Sequence, residues 1–301
     1  MRKFLTKVAI FTLLTVLILL AGLAMPVTPR ASVSEHFSIL QKDSLLANAD
    51  SPRMIFIGGS NVSFGLNSQM IKDSLNVNPV NTGINAGFGL KFMLDNAAQY
   101  IRKGDIIIAP LEYSHYTQDC NYCSEALLRV VMDVDRRYSR LLNFRQMLNL
   151  FAGVPQYIAS KFNPKAYFGF EIDPPHRVNA FNSYGDNCAH WNMENRDFAP
   201  HGRLDDFNRQ IIGKIKDFEN IVEQKGATFY IAYPSYMATS FYKSEDIIAA
   251  IRNELEKNFK VLGTPARYMM PDSLMFDTSY HLNKQGADIR TARLIEDIKR
   301  F

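Results

Sequence analysis

The feature that most constrains this chain is a recurrence of short strand-like runs between helical stretches. "RMIFIGG" (53–59), "VNTGI" (80–84), "DIIIAPLEY" (105–113) and "ATFYIAYPS" (227–235) are the strand candidates. Several are apolar on both faces, as strands are when helices cover both sides of a parallel sheet. Between them, "NSQMIKDSLN" reads as a short helix with Asn67 or Ser68 as its N-cap. "LKFMLDNAAQYIRKG" ends in Gly104, a helix stop. Leu204, Phe207, Ile211, Ile215, Phe218 and Val222 recur at helical spacing. Ser244 opens a further helix, and a last one follows His281. Residues 124–160 read as one or two helices. Residues 163–203, rich in Pro, Gly, Asn and aromatics, read as an irregular insertion. The expected class is α/β, a three-layer sandwich around a mostly parallel sheet. Ligands then bind where strands deliver their C-terminal ends.

The N-terminus obeys a different rule. Arg2, Lys3 and Lys7 precede Val8 to Met25, a run without charge. A spanning helix needs about 20 apolar residues, so residues 1–26 read as an uncleaved anchor. The competing reading is a long signal peptide cleaved near "GLA" (22–24). In either case the basic flank stays in the cytoplasm. The expected location is the inner or cytoplasmic membrane, single-pass, with the C-terminal domain periplasmic. Residues 27–51 read as a linker and short helix, and 52–301 as the folded domain.

A formal charge of +4 without a basic cluster beyond the N-terminus argues against a nucleic-acid partner. The glycines at 83, 87 and 89 match neither dinucleotide nor P-loop spacing, so no cofactor is expected. Cys120, Cys123 and Cys188 form an odd set, so at most one internal disulfide can close. Cys120 and Cys123, with His115 and Asp119 nearby, outline a metal or redox motif. It lacks a second ligand pair and a thioredoxin-like context, so no metal is expected.

"MIFIGGSNVSFGLNS" (54–68) drives a buried-looking strand into two glycines, a serine and an asparagine. This is either an ordinary strand-to-helix turn or a corner that presents the Ser60 hydroxyl. A serine needs a base to become nucleophilic, usually a histidine oriented by a carboxylate. Of six histidines, His281 stands in the last loop, four residues after Asp277. The clustered aromatics Tyr167, Phe168, Phe170, Phe181, Tyr184 and Trp191 either stack on sugar rings or form the private core of the insertion.

"IGGSN", "NTGINAGFG" and "DTSYHLNKQG" together resemble the SGNH/GDSL hydrolase superfamily, and more closely its membrane-anchored, exported branch. Proteins of that branch act on acyl groups of cell-surface polysaccharides. The resemblance spans about residues 52 to 298. It implies a flavodoxin-like fold without a cofactor. By position it makes Ser60 the nucleophile, His281 the base and Asp277 its orienting acid. It places the oxyanion hole at the Ser60 N–H and at Gly83 or Gly87. Glu112, at a strand end with His115 close by, either lines the same cleft or forms a surface ion pair.

The chain departs from the family in three places. Gly59 stands where the first block carries Asp. Glu112 or Tyr113 stands where the third block supplies an Asn donor, and a carboxylate there repels an oxyanion unless protonated. The Asp-to-His spacing is one residue longer. The expected activity is that of an esterase or O-acyltransferase on a polysaccharide or small acyl ester. The second expectation is a non-catalytic scaffold that keeps the fold and joins polysaccharide-assembly proteins.

Overall fold

A computed structural model describes residues 1–300. The chain begins with α1 (Arg2–Ala24), the one helix among the described residues long and apolar enough to cross a membrane, and almost wholly exposed. At 1.5 Å per residue it spans about 35 Å. After a helical turn at Pro29–Ser32 comes α2 (Ile39–Asn48). Then follow β1 (Arg53–Phe56), the single turn α3 (Ser60–Ser63), α4 (Ser68–Leu75), β2 (Asn78–Asn81), α5 (Leu90–Ala98) and β3 (Ile106–Ala109). Next are α6 (Glu125–Arg129) and α7 (Phe144–Lys161). The second half contains α8 (Gln210–Gln224), β4 (Thr228–Ala232), β5 (Tyr236–Met237), α9 (Glu245–Asn258), β6 (Val261–Leu262), β7 (Met269–Met270) and α10 (Lys284–Ile298).

Five strands form one sheet in the order β2-β1-β3-β4-β6, and every neighbouring pair is parallel. β5 and β7 make a separate two-stranded pair. Successive side chains of a strand point to opposite faces, and all four residues of β1 are buried. β1 is therefore covered on both faces, which explains why Ile55, Phe56 and Ile57 follow one another without a polar break. α5 packs on α8, and α4 on α10.

The sheet is pinned at the start of β1, the strand between β2 and β3. Arg53 is fully buried and forms a bidentate pair with Asp105, Nε to Oδ1 at 2.9 Å and Nη2 to Oδ2 at 2.5 Å. Its remaining donors reach the carbonyls of Leu46 and Tyr100. The polar residue at the head of "RMIFIGG" thus ties α2, β1 and the approach to β3 together.

One expectation about helices changes, and one strand goes unforeseen. The 124–160 stretch breaks after Arg129 into a π-helical turn (Val130–Val134) and a 3-10 segment (Arg136–Leu141) before α7 starts with an Asn143–Gln146 capping box. The fifth strand of the sheet, β6, is only two residues long and carries no periodicity of its own. Regular structure in the 163–203 region is limited to 3-10 turns at Pro164–Ala166, Pro174–His176 and Val178–Ala180 and to isolated bridges of Arg177 to Ser34 and Phe181 to Asn187. Its aromatics divide: Phe181 is buried, whereas Phe168 is among the most exposed apolar residues outside α1.

Candidate active site

Ser60 opens α3 directly past the end of β1, and Glu112 stands past the end of β3. The chain runs from β1 outward to β2, then returns to the other side of β1 to lay down β3. Strand order thus reverses between β1 and β3. Such a reversal opens a crevice at the C-terminal ends of the strands, the usual ligand position in open α/β sheets.

Glu112 is buried, and its Oε1 accepts hydrogen bonds from the Asn61 N–H at 3.1 Å and the Ser60 hydroxyl at 3.4 Å. Asn61 Nδ2 donates to the carbonyl of Pro110 at 2.8 Å, holding the two strand ends together. This packing accounts for Gly59. A Cβ there would lie 2.6 Å from Glu112 Oε1 and 2.9 Å from Ala86 Cα. No side chain fits at 59 while Glu112 occupies that space.

Asp277 and His281 come together on a tight loop. Thr278 Oγ1 accepts the N–H groups of Tyr280 (3.2 Å) and His281 (3.1 Å), a side-chain turn of the kind Thr favours. The loop is closed by Phe276 N–H on the carbonyl of His281 at 2.8 Å. Asp277 Oδ1 lies 2.7 Å from His281 Nδ1. Burial works against the Asp277 carboxylate. The His281 hydrogen bond and the charges of His281, His176 and Arg196 outweigh it, so its pKa falls below the ordinary value. The Phe64 ring lies flat on the imidazole, 3.9 Å between centroids and 7° between planes. Phe64 is one helical turn beyond Ser60, its N–H bonded to the Ser60 carbonyl at 2.9 Å. The loop before α10 therefore meets the turn after β1 through this stack.

Two expectations about hydrogen bonding are not met. Ser60 and His281 share no hydrogen bond among the described residues; the hydroxyl is turned to Glu112 instead. Gly83 and Gly87 do not offer open N–H groups either. Gly83 N–H is held by Asn81 Oδ1 at 2.9 Å and Gly87 N–H by Asn85 Oδ1 at 2.8 Å. An asparagine two residues ahead captures each amide in an Asx turn. Gly83 is needed for close approach: a Cβ would sit 2.6 Å from the Gly59 carbonyl oxygen and 2.7 Å from Ser63 N. As first residue of α3, Ser60 keeps its own N–H outside the helix's internal hydrogen bonds.

Around this centre, the rings of Tyr236 and Tyr280 meet at a tilt, 4.6 Å between centroids, and His201 lies 5.5 Å from Tyr280. Burial depresses the pKa of His115, with the Glu112 charge opposing it. Burial also pushes His190 down to about 4, and its Nε2 is 2.9 Å from the Leu282 carbonyl, so it is a neutral packing group. His176 pairs with Glu35 at 2.9 Å, and Glu35 in turn accepts from Asn85 at 3.0 Å. A cavity of about 360 Å³ opens beside that pair, lined among others by Arg30, His36, Arg129 and Ser160. It meets the Ser60 region through His176, 6.3 Å from Phe64, and through Glu35, which accepts from Asn85. Cys120, Cys123 and Cys188 are all unpaired, and burial pushes the Cys123 thiol up to about 11.

Phe64, Asn85 and the Tyr236–Tyr280 pair were not singled out from the sequence. No local pattern marks these contacts, because their partners are distant in the chain: Phe64 meets His281, Asn85 meets Glu35, and Tyr236 meets Tyr280. No family model, curated protein or solved structure matches this chain.

Proposed function

We propose that this chain is a membrane-tethered serine esterase or O-acyltransferase of the SGNH type, acting on acyl groups of an exported or cell-surface polysaccharide. The fold we infer is three layers, helices on both faces of the parallel sheet, with α1 as anchor and the domain on the periplasmic side. The observation that carries the reading is the Asp277–His281 bond, stacked on Phe64 one turn from Ser60.

In the proposed mechanism the Ser60 hydroxyl rotates from Glu112 to His281 Nε2 when substrate enters. Ser60 Oγ attacks the ester carbonyl while Nε2 takes its proton. Asp277 holds Nδ1–H and stabilises the imidazolium. The imidazolium then protonates the departing alcohol. The acyl group on Ser60 passes to water or to a sugar hydroxyl, whose proton is taken by Nε2 and handed to the released Ser60 Oγ. The Ser60 N–H is the oxyanion donor at hand.

The test is turnover of p-nitrophenyl acetate and of acetylated glycans by the full chain in detergent, beside Ser60→Ala. A loss of about 10³-fold or more is expected. Equal turnover by both forms would end the enzyme proposal. The scaffold reading is favoured by the Ser60–Glu112 bond and by the two captured glycine amides. It expects glycan binding without turnover, unchanged in Ser60→Ala.

A further inference from the structure

α7 turns two apolar faces in opposite directions. Leu150 and Tyr157 are buried on the domain side, and Ile158 is buried against α1. Phe144 (70% exposed), Met147, Leu148 and Phe151 (74% exposed) point away from it, and Phe162 continues the same line past the helix end. The spacing 144, 148, 151, 155, 162 keeps one stripe along the whole helix. Contiguous apolar surface of this kind marks an interaction site rather than scattered exposure.

The location of the helix says what covers the stripe. Gly22, in the last turn of α1, packs so closely on α7 that a Cβ would fall 2.3 Å from Ile158 Cγ2. Lys161, the last residue of α7, donates to the Pro26 carbonyl at 3.1 Å and pairs with buried Asp133 at 2.8 Å. α7 is thus fastened to the point where α1 ends. The charge pattern agrees. From Arg136 to Phe170 the chain carries Arg136, Arg137, Arg140, Arg145, Lys161 and Lys165 and no Asp or Glu.

We propose that α7 lies in the membrane–water interface, its outer stripe inserted among the lipids of the bilayer that α1 enters and its flanking arginines on anionic headgroups. An apolar face with basic flanks is the composition of an in-plane interfacial helix. The inference rests on α1 being a membrane span. With α7 docked, the domain is held at the bilayer by two contacts rather than swinging from one tether.

The test uses the full chain in vesicles of phosphatidylcholine and phosphatidylglycerol, with and without brominated acyl chains. Trp191 is the single tryptophan, so a Trp191→Phe background reports each new tryptophan alone. Phe151→Trp samples the stripe, Leu13→Trp the middle of α1, and Asn253→Trp an exposed position of α9. We expect brominated lipid to quench positions 13 and 151 at least twofold and to leave 253 unchanged. Quenching at 13 without quenching at 151 would overturn the interfacial helix while leaving the anchor intact; a second copy or a protein partner on the stripe would give this outcome. Absence of quenching at both would remove the anchor reading and the inference with it.

Discussion

One carboxylate oxygen of Glu112 receives both the Ser60 hydroxyl at 3.4 Å and the Asn61 N–H at 3.1 Å. The same side chain therefore caps the turn that carries the serine and holds its hydroxyl away from His281. It also places a carboxylate on the turn that carries Ser60, where the proposed acyl transfer would develop negative charge. Glu112→Gln keeps an acceptor for Asn61 and removes that charge. We expect kcat/KM for p-nitrophenyl acetate to rise about tenfold, equivalent to ~1.4 kcal/mol. A fall of similar size would instead make Glu112 the group that takes the serine proton.

Asp277 orients His281 through a single contact at 2.7 Å. Asp277→Asn leaves the loop's Thr278 hydrogen bonds in place but selects the wrong tautomer of the imidazole. The expected loss in kcat is about 10³–10⁴-fold with KM little changed. Steady-state kinetics check this, and a loss below threefold would remove the triad assignment.

The Arg53–Asp105 pair is sealed from solvent. Breaking one partner of a buried pair leaves the other charge uncompensated, at about 3–5 kcal/mol. Asp105→Ala should lower the urea midpoint of the chain in detergent accordingly. A shift worth less than about 1 kcal/mol, the scale of an exposed pair, would show that water reaches Arg53.

Gly83→Ala drives a Cβ into two backbone atoms that cannot yield separately, the Gly59 carbonyl oxygen and Ser63 N. Overpacking of this kind costs about 1–3 kcal/mol, and the displaced segment carries Ser60. Both thermal stability and ester turnover are expected to drop. Unchanged behaviour in both assays would contradict the close approach.

The Glu35–His176 pair makes a pH-dependent tie between the segment after α1 and the 163–203 region. The Glu35 hydrogen bond holds the His176 pKa above its ordinary 6.5. Burial opposes Glu35, but His176 and Asn85 keep it below 4.5. A raised histidine contributes stability that is complete below 6.5 and fades as pH rises through its folded value. A lowered carboxylate contributes stability that is complete above 4.5 and fades as pH falls through its folded value. The stability difference between the parent chain and His176→Gln should therefore be largest between pH 4.5 and 6.5. Denaturation curves across pH measure it; a difference independent of pH would exclude the ion pair as its source.

The sequence by itself determined the apolar α1, the alternation of strands and helices, and the loop that joins Asp277 to His281. Each is local: a run of uncharged residues, a periodicity, or two residues four apart on one turn. β6 stayed hidden because two residues cannot display a period, and the break at Val130–Val134 because its apolar pattern reads as continuous helix. Tertiary structure alone decided where the Ser60 hydroxyl points and that Phe64 carries the imidazole. Hydrogen bonds and ring contacts act over a few ångströms, so a choice between Glu112 and His281 exists only once the sheet has brought strand ends 52 residues apart side by side.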